Sequence, residues 1–339
     1  MVRSAKLLSF LLAGSALTLA AGVANAQELT PVSFGTNWLA EAEHGGFYQA
    51  VADGTYERYG LDVTIVQGGP QSPGRPMLLT GQIDFYMSGN MLGPIFAAAE
   101  NIPVIEVAAI FQKDPQVLMA HPGVGVETFE DLANLPVIFM GADGFATYFQ
   151  WMKVAFEGFS DDQYRPYTFN PAPFIADPMS AQQGYITAEP FAVEREGGFE
   201  PLLFLLADHG FTTPNTLIET TPEYLAANPE IVQAFVEASI IGWYNYLYGD
   251  NAAANELIKT DNPEMTDEQI AFTIDKLKEY GLIDSGIALE QGIGCIDATQ
   301  VMTFYESMVE AGVVPANIDV TTLFTTEFVC AGVGMELKP

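Results

Sequence analysis

The sequence predicts an α/β fold made of two lobes, and three observations lead to this prediction. Residues 31–66 contain a strand, a polar loop, a helix and a second strand, which is the unit from which parallel sheets are built. Further strand-to-helix loops follow at 67–74, 88–90 and 141–144, and another precedes Glu189. The chain has 339 residues, enough for roughly two lobes at about 100–200 residues per domain.

The order of apolar runs predicts where the chain passes between the lobes. In the first unit we expect strands at 31–35 and 61–66 and a helix over 45–58. A buried strand over 102–110 ends the first part, and strands from 136 to 207 form the other lobe. The predicted division is residues 27–112 and 212–339 for lobe 1, and 113–211 for lobe 2.

From residue 221 onward the pattern is helical. Thr-Pro at 221–222 and Asn-Pro at 228–229 are typical of helix starts, because proline is tolerated in the first turn. The segment 234–248 is rich in aromatic residues, including Trp243, Tyr244 and Tyr246. Aromatic residues at helical spacing predict core packing here rather than a cofactor site.

The first 26 residues have the pattern of a secretory signal peptide. Arg3 and Lys6 precede an apolar run over 7–21, and Ala-Asn-Ala at 24–26 provides small residues for cleavage. The next residue is Gln27 rather than cysteine, which argues against a lipid anchor. We therefore expect an exported, periplasmic protein.

The formal charge of −31 excludes some partners. Nucleic-acid binding requires clustered lysine and arginine, so nucleic acid is not an expected partner. Apolar residues make up 49% of the chain and charged residues 16%, which argues against disorder. The acidity itself is explained by solubility.

Three short motifs resemble the opening of one known family. Asn-Trp at 37–38, His-Gly-Gly-Phe-Tyr at 44–48 and Gly-Leu-Asp-Val at 60–63 are similar to those of NMT1/THI5-like proteins. The resemblance implies a type II periplasmic-binding-protein fold with a hinge between its lobes. It also implies a solute-binding protein that delivers a small molecule to the permease of an ABC importer. We expect such a protein to be a monomer.

The candidate site lies in the loops beyond the strand ends, where ligands of open α/β sheets gather. Trp38 offers a flat face for stacking a ring, and Asn37 can both donate and accept. Glu189 can accept N–H groups from an aminopyrimidine edge through charge-assisted bonds. Taken singly, Trp38 as core filler, His44 at a helix start and Glu189 as a surface charge remain open alternatives. The predicted ligand-binding residues are Asn37, Trp38, His44, Gly69, Ser88, Asn90, Phe111, Asp143, Tyr148, Tyr185 and Glu189.

The resemblance leaves several ligands open. The Asn-Trp and His pair is similar to the branch that binds pyrimidine precursors of thiamine, so a hydroxymethylpyrimidine or aminopyrimidine is the first expectation. A flavin is the second, and taurine-like or nitrate-like anions are the third, since the chain is acidic.

Catalysis is not expected. The family includes pyrimidine synthases, but these carry a cysteine-rich iron motif that has no counterpart here. No Gly-x-Ser-x-Gly elbow and no Walker loop occur in the sequence. Two cysteines and three scattered histidines have no metal-ligand spacing, so we predict neither a metal nor a cofactor.

Cys295 and Cys330 are the two cysteines of the chain. Export makes a disulfide between them possible. The alternative is a pair of buried free thiols.

The signal peptide can be tested directly. We expect the mature protein to begin at Gln27 and to be released by osmotic shock, which N-terminal mass spectrometry of the shock fluid will show. Recovery of the protein in the cytoplasm with its first residues intact would contradict this expectation.

Overall fold

The structure is a computed structural model that describes residue 1 and residues 28–69, 72–168 and 170–339. The predicted signal peptide, apart from Met1, lies outside the described residues. Within the described ranges no helix has the length and apolarity needed to span a membrane.

The described strands form two sheets of five strands each. The first sheet has the order β2-β1-β3-β10-β4, and the second has the order β7-β6-β8-β5-β9. The strands are β1 (Thr30–Gly35), β2 (Leu61–Val66), β3 (Phe85–Ser88), β4 (Ile105–Phe111), β5 (Gln116–Ala120), β6 (Val137–Met140), β7 (Tyr164–Pro166), β8 (Ser180–Tyr185), β9 (Leu202–Leu205) and β10 (Asn215–Thr220).

Both sheets follow the same plan. In the first sheet β1 pairs in parallel with β2 and β3, whereas β10 runs antiparallel between β3 and β4. In the second sheet β6 pairs in parallel with β7 and β8, whereas β5 runs antiparallel between β8 and β9. The antiparallel strand of each sheet is the first strand after the chain has crossed from the other sheet. The predicted α/β class with two lobes is therefore confirmed.

Helices connect the parallel strands and pack on the two mixed sheets. The helices are α1 (Gly45–Ala52), α2 (Thr55–Arg58), α3 (Gly74–Leu79), α4 (Leu92–Ala99), α5 (Ala142–Ala146), α6 (Tyr148–Ala155), α7 (Ala172–Ala176), α8 (Glu189–Gly197), α9 (Pro222–Ala227), α10 (Pro229–Tyr248), α11 (Ala252–Asp261), α12 (Asp267–Glu279), α13 (Ala288–Gln291) and α14 (Ala298–Glu310). Short 3-10 turns include Ala42–His44 and Leu206–His209.

The first strand–helix–strand unit is present, with one correction. Strand β2 has the predicted bounds, but the single helix expected over 45–58 is two helices, α1 and α2. The break falls at Asp53 and Gly54, where Gly54 has a φ of 72°. Glycine adopts this left-handed conformation without steric cost, so the chain can turn between the two helices.

Two glycines allow α1 to pack directly against α10. A Cβ atom on Gly45 would lie 2.1 Å from the ring of Tyr246, and one on Gly46 would lie 2.2 Å from the ring of Trp243. The aromatic rings of α10 thus occupy the space that side chains on α1 would need. Trp243 and Tyr246 are fully buried, which confirms the prediction that these aromatic residues form core.

The chain passes between the two sheets at residues 112–115 and at 206–214. The lobe boundaries expected from the sequence, 27–112 and 212–339 for lobe 1 and 113–211 for lobe 2, remain predictions. The C-terminal helices touch both lobes, however. Thr273 on α12 donates a hydrogen bond of 2.9 Å to the carbonyl of Thr187, and Phe304 on α14 packs edge-on against Phe211 at 5.1 Å. The assignment of all of 212–339 to lobe 1 remains a prediction.

Cys295 and Cys330 are joined by a disulfide, which is the first of the two alternatives that the sequence leaves open. Cys295 is buried. The bond closes a loop across 35 residues of sequence separation and ties the C-terminal segment to the strand-like turn after α13.

Removing this disulfide should destabilise the protein. Closing a loop of this length restricts the unfolded chain, a contribution of ~3–4 kcal/mol. We expect Cys295→Ser with Cys330→Ser to lower the free energy of unfolding in urea by about that amount. Alkylation of the wild-type protein without reductant should label neither cysteine, and labelling of both would contradict the pairing.

Candidate functional site

The loop after β1 is fixed in place by the loop after β2. The backbone N–H of Gly68 donates to the Trp38 carbonyl at 3.1 Å and to Thr36 Oγ1 at 3.0 Å. A Cβ atom on Gly68 would lie 2.1 Å from the Thr36 carbonyl oxygen, so only glycine allows this approach. Gln67 Oε1 accepts from the Ala40 N–H at 2.6 Å. The segment that follows, including Glu41, is thereby held at the edge of lobe 1.

The 3-10 turn Ala42–His44 connects this loop to α1. Glu41 directly precedes the turn, and Glu43 lies within it. Glu43 and His44 are buried, with residue exposures of 5% and 0%, and the Glu41 side chain is 20% exposed. His44 Nε2 lies 3.7 Å from Glu41 Oε1, and neither ring nitrogen has a hydrogen-bond partner among the described residues. Because α1 packs against α10 at Gly45 and Gly46, this turn cannot move independently of the core.

Lobe 2 places Glu189 against this turn. Glu189 is the first residue of α8, and its Oε2 accepts from the Tyr185 backbone N–H at 2.7 Å. The hydroxyl of Tyr167 lies 3.5 Å from Oε1. A Cβ atom on Gly184 would lie 2.6 Å from the Glu189 Cβ, so a glycine in β8 allows the helix start to sit this close.

The carboxyl groups of Glu41, Glu43 and Glu189 interact across the cleft, which is the space between the two lobes. Burial raises the pKa of Glu41 well above its usual range, and the charges of Glu43 and Glu189 raise it further. Burial likewise raises the pKa of Glu43 to about 7, opposed by the Thr187 hydroxyl from lobe 2. Burial also raises the pKa of Glu189, although the Tyr185 N–H opposes the shift. We call Glu41, Glu43 and Glu189 the carboxylate cluster.

Tyrosine side chains line the lobe 2 wall. Tyr148, at the start of α6, is buried, and its hydroxyl donates to Gln183 Oε1 at 2.7 Å. The same oxygen accepts from the Gly141 N–H at 2.7 Å. Asp143 is exposed on α5, and its charge is among the causes, after burial, that raise the pKa of Tyr148. Tyr185 is half-buried, and its pKa is raised by burial and then by Asp114.

A buried aspartate joins the two crossings at the base of the cleft. Asp114 Oδ2 accepts from the side-chain amides of Asn90 at 2.8 Å and Asn215 at 2.9 Å. Burial raises the pKa of Asp114, and the two amides oppose the shift. Thr216 follows Asn215 in the chain and has a φ of 51°, which is unusual for a β-branched residue. Strained backbone of this kind is typical of hinges and binding sites.

The structure brings some of the predicted residues together and leaves others apart. His44, Tyr148, Tyr185 and Glu189 surround the cleft, and Asn37 and Trp38 lie half-buried in the first loop. Their ligand contacts remain predictions.

Three predicted residues lie outside this group: Ser88, Phe111 and Gly69. Ser88 donates to Glu106 inside lobe 1 at 3.2 Å, and Phe111 packs edge-on against Trp243 in the core at 5.9 Å. Gly69 is the residue after Gly68, which contacts the first loop. A Cβ atom added to Gly69 would lie 3.7 Å from the Leu39 side chain.

Sequence reasoning missed Glu41, Glu43, Asp114 and Asn215. The first two alternate with alanines in Ala-Glu-Ala-Glu-His, a pattern usually typical of an exposed turn. The sequence signal that could have identified Glu41 and Glu43 is their position in the same loop as Trp38 and His44. Asp114 and Asn215 lie about 100 residues apart in sequence, and only the two crossings bring them together.

Comparison with known proteins places the chain in a family. The NMT1/THI5 like family model matches residues 41–253, more than half of the chain. The riboflavin-binding protein RibY of Chloroflexus aurantiacus is 25% identical over 326 residues, covering 92% of this chain and 90% of that protein. The formylaminopyrimidine-binding protein of Halalkalibacterium halodurans is 23% identical over 296 residues, covering 82% and 87%.

A solved structure supports the fold. The periplasmic sulfonate-binding protein SsuA of Methylobacillus flagellatus superimposes with a TM-score of 0.60 at 17% identity, covering 92% of this chain and 96% of that chain. At this identity the likeness concerns the fold alone. This chain therefore belongs to the NMT1/THI5-like family and has the two-lobe fold of the periplasmic binding proteins.

Proposed function

We propose that the protein is the periplasmic solute-binding component of an ABC importer and that it captures a small aminopyrimidine, of the kind that serves as a thiamine precursor. The observation that carries this proposal is the position of Glu189. Its carboxylate is held by the Tyr185 N–H at the start of α8, on the wall that faces Glu41 and Glu43.

The chemistry of an aminopyrimidine fits this position. An amino group beside a ring nitrogen presents N–H donors in one plane, and a carboxylate accepts such donors more strongly than a neutral oxygen does. Trp38 and the tyrosines of lobe 2 supply aromatic surface of the sort that binds flat rings. The wall opposite Glu189 is polar, so a ligand with polar groups at both ends would be accommodated.

Binding rather than catalysis is favoured by the relatives that span most of the chain, because both are named as binding proteins. Two lobes joined by two crossings can close on a ligand like a hinge, with the Asp114 amide network at the pivot. We propose that the closed, monomeric protein then delivers its ligand to a membrane permease.

A flavin is the second candidate. The similarity to a riboflavin-binding protein over 92% of this chain favours it, and stacking on Trp38 would serve its ring system equally well. Sulfonate and nitrate are disfavoured, because any carboxyl group of the cluster that is ionised would repel an anion.

Two substitutions distinguish these ligands. Glu189→Gln keeps the shape and removes the charge, and charge-assisted hydrogen bonds contribute about 1.5–3 kcal/mol where neutral ones contribute about 0.5–1.5. We expect calorimetry with 4-amino-5-hydroxymethyl-2-methylpyrimidine to show roughly ten- to a hundredfold weaker binding, at about 1.4 kcal/mol per decade. Trp38→Ala should also weaken binding by removing the stacking face.

The matched control is Glu57→Gln, because Glu57 is exposed on α2 and lies outside the cleft. It should bind like the wild type. Weaker riboflavin binding in Trp38→Ala with no change in Glu189→Gln would favour the flavin. Unchanged binding in both variants would contradict this placement of the site.

A further inference from the structure

Glu41 and Glu43 are not explained by an aminopyrimidine held at Glu189 alone. Both come from lobe 1, and Glu189 raises the pKa of each from the other side of the cleft. Three carboxyl groups in one poorly solvated space repel one another when ionised, and burial adds a desolvation cost to each.

The protein does not compensate this charge with a cation of its own. Among the residues that the structure describes, no lysine or arginine forms an ion pair with Glu41, Glu43 or Glu189. His44 lies closest, but burial lowers its pKa to about 3, so the ring is neutral at physiological pH. It can therefore accept or donate a hydrogen bond without balancing a carboxylate.

One buried polar side chain next to the cluster, that of His44, points to a missing hydrogen-bond partner. His44 is fully buried, its Nε2 faces Glu41 at 3.7 Å, and both ring nitrogens lack hydrogen-bond partners among the described residues. Buried polar groups are nearly always satisfied, so each such group requires an explanation.

We infer that Glu41 and Glu43 select a cationic N-heterocycle, whose positive group lies between them and Glu189 and whose donors complete the bonding of the turn. This inference rests on the proposed function and adds the charge of the ligand to it. Aromatic walls on the lobe 2 side favour an organic cation over a bare ion. Tyr148 at the start of α6 and Tyr185 at the end of β8 supply aromatic side chains on this side, and aromatic rings attract organic cations.

A matched pair of ligands tests the inference in the wild-type protein. 4-Amino-5-aminomethyl-2-methylpyrimidine and its 5-hydroxymethyl analogue have nearly the same shape, but the first carries an ammonium group at pH 7.5. We expect the ammonium compound to bind at least tenfold more tightly by calorimetry. This preference should shrink to less than threefold in Glu41→Gln/Glu43→Gln and remain unchanged in the surface control Glu57→Gln.

The outcomes separate the two proposals. Equal binding of the two compounds, or a preference retained in the double variant, would overturn the inference and leave the proposed function standing. Binding of neither compound would overturn both. Tighter binding of Ca²⁺ or Mg²⁺ than of either compound would also overturn the inference, because it would assign the cluster to a metal.

Thermal unfolding gives an independent test that requires no ligand. The pKa of Glu43 rises from its ordinary 4.5 to about 7 on folding, so the folded protein holds this proton more tightly. The contribution of Glu43 to the free energy of unfolding is fully present below pH 4.5 and is lost as the pH rises through about 7. The groups that face it are Glu41, Glu189, Thr187 and Tyr246, with His44 beside them.

We therefore expect Glu41→Gln/Glu43→Gln to unfold at a higher temperature than the wild type at pH 8, with a smaller difference at pH 5. A double variant that unfolds at a lower temperature at pH 8 would show that the carboxylates are compensated within the protein, and the inference would be wrong.

Discussion

The close packing of α1 against α10 is the constraint on which the site depends. Side chains at Gly45 and Gly46 would overlap the rings of Tyr246 and Trp243, so the two glycines bring the helices into direct contact. The turn that precedes α1 is thereby fixed to the core, with Glu43 buried and the Glu41 side chain only 20% exposed. The stability of the core thus holds carboxyl groups in a place where, taken alone, they are unfavourable.

In the function that we propose, this arrangement links ligand capture to the closing of the lobes. Glu189 belongs to lobe 2 and the acidic turn to lobe 1, so bringing the lobes together increases the repulsion among ionised carboxylates. A ligand with positive or strongly donating groups converts that repulsion into attraction. An anion would add to it. Under this proposal, the same electrostatics stabilises the closed form around a cation and opposes closure around an anion.

The sequence was sufficient for the features that depend on local pattern. Strand β2 has the predicted bounds, and the aromatic residues of α10 are core, because apolar periodicity and burial preference act within one element. The break at Gly54 was missed, since a helix pattern does not reveal a left-handed glycine.

The site was predictable only in part. Glu189 follows a recognisable strand end, but Glu41 and Glu43 resemble an exposed turn until α1 is packed on α10. Ser88 ends its strand as predicted, yet its hydroxyl is bound to Glu106 inside lobe 1. The direction in which a loop side chain points is decided by tertiary contacts, and the sequence pattern does not contain them.

The most direct measurement is native mass spectrometry of the protein purified from periplasm without refolding. The account predicts one bound small molecule per chain that contains a nitrogen heterocycle with an amino or other basic group, released on mild denaturation. A bound sulfonate, nitrate or other anion would contradict the account, because the ionised form of the carboxylate cluster would repel it.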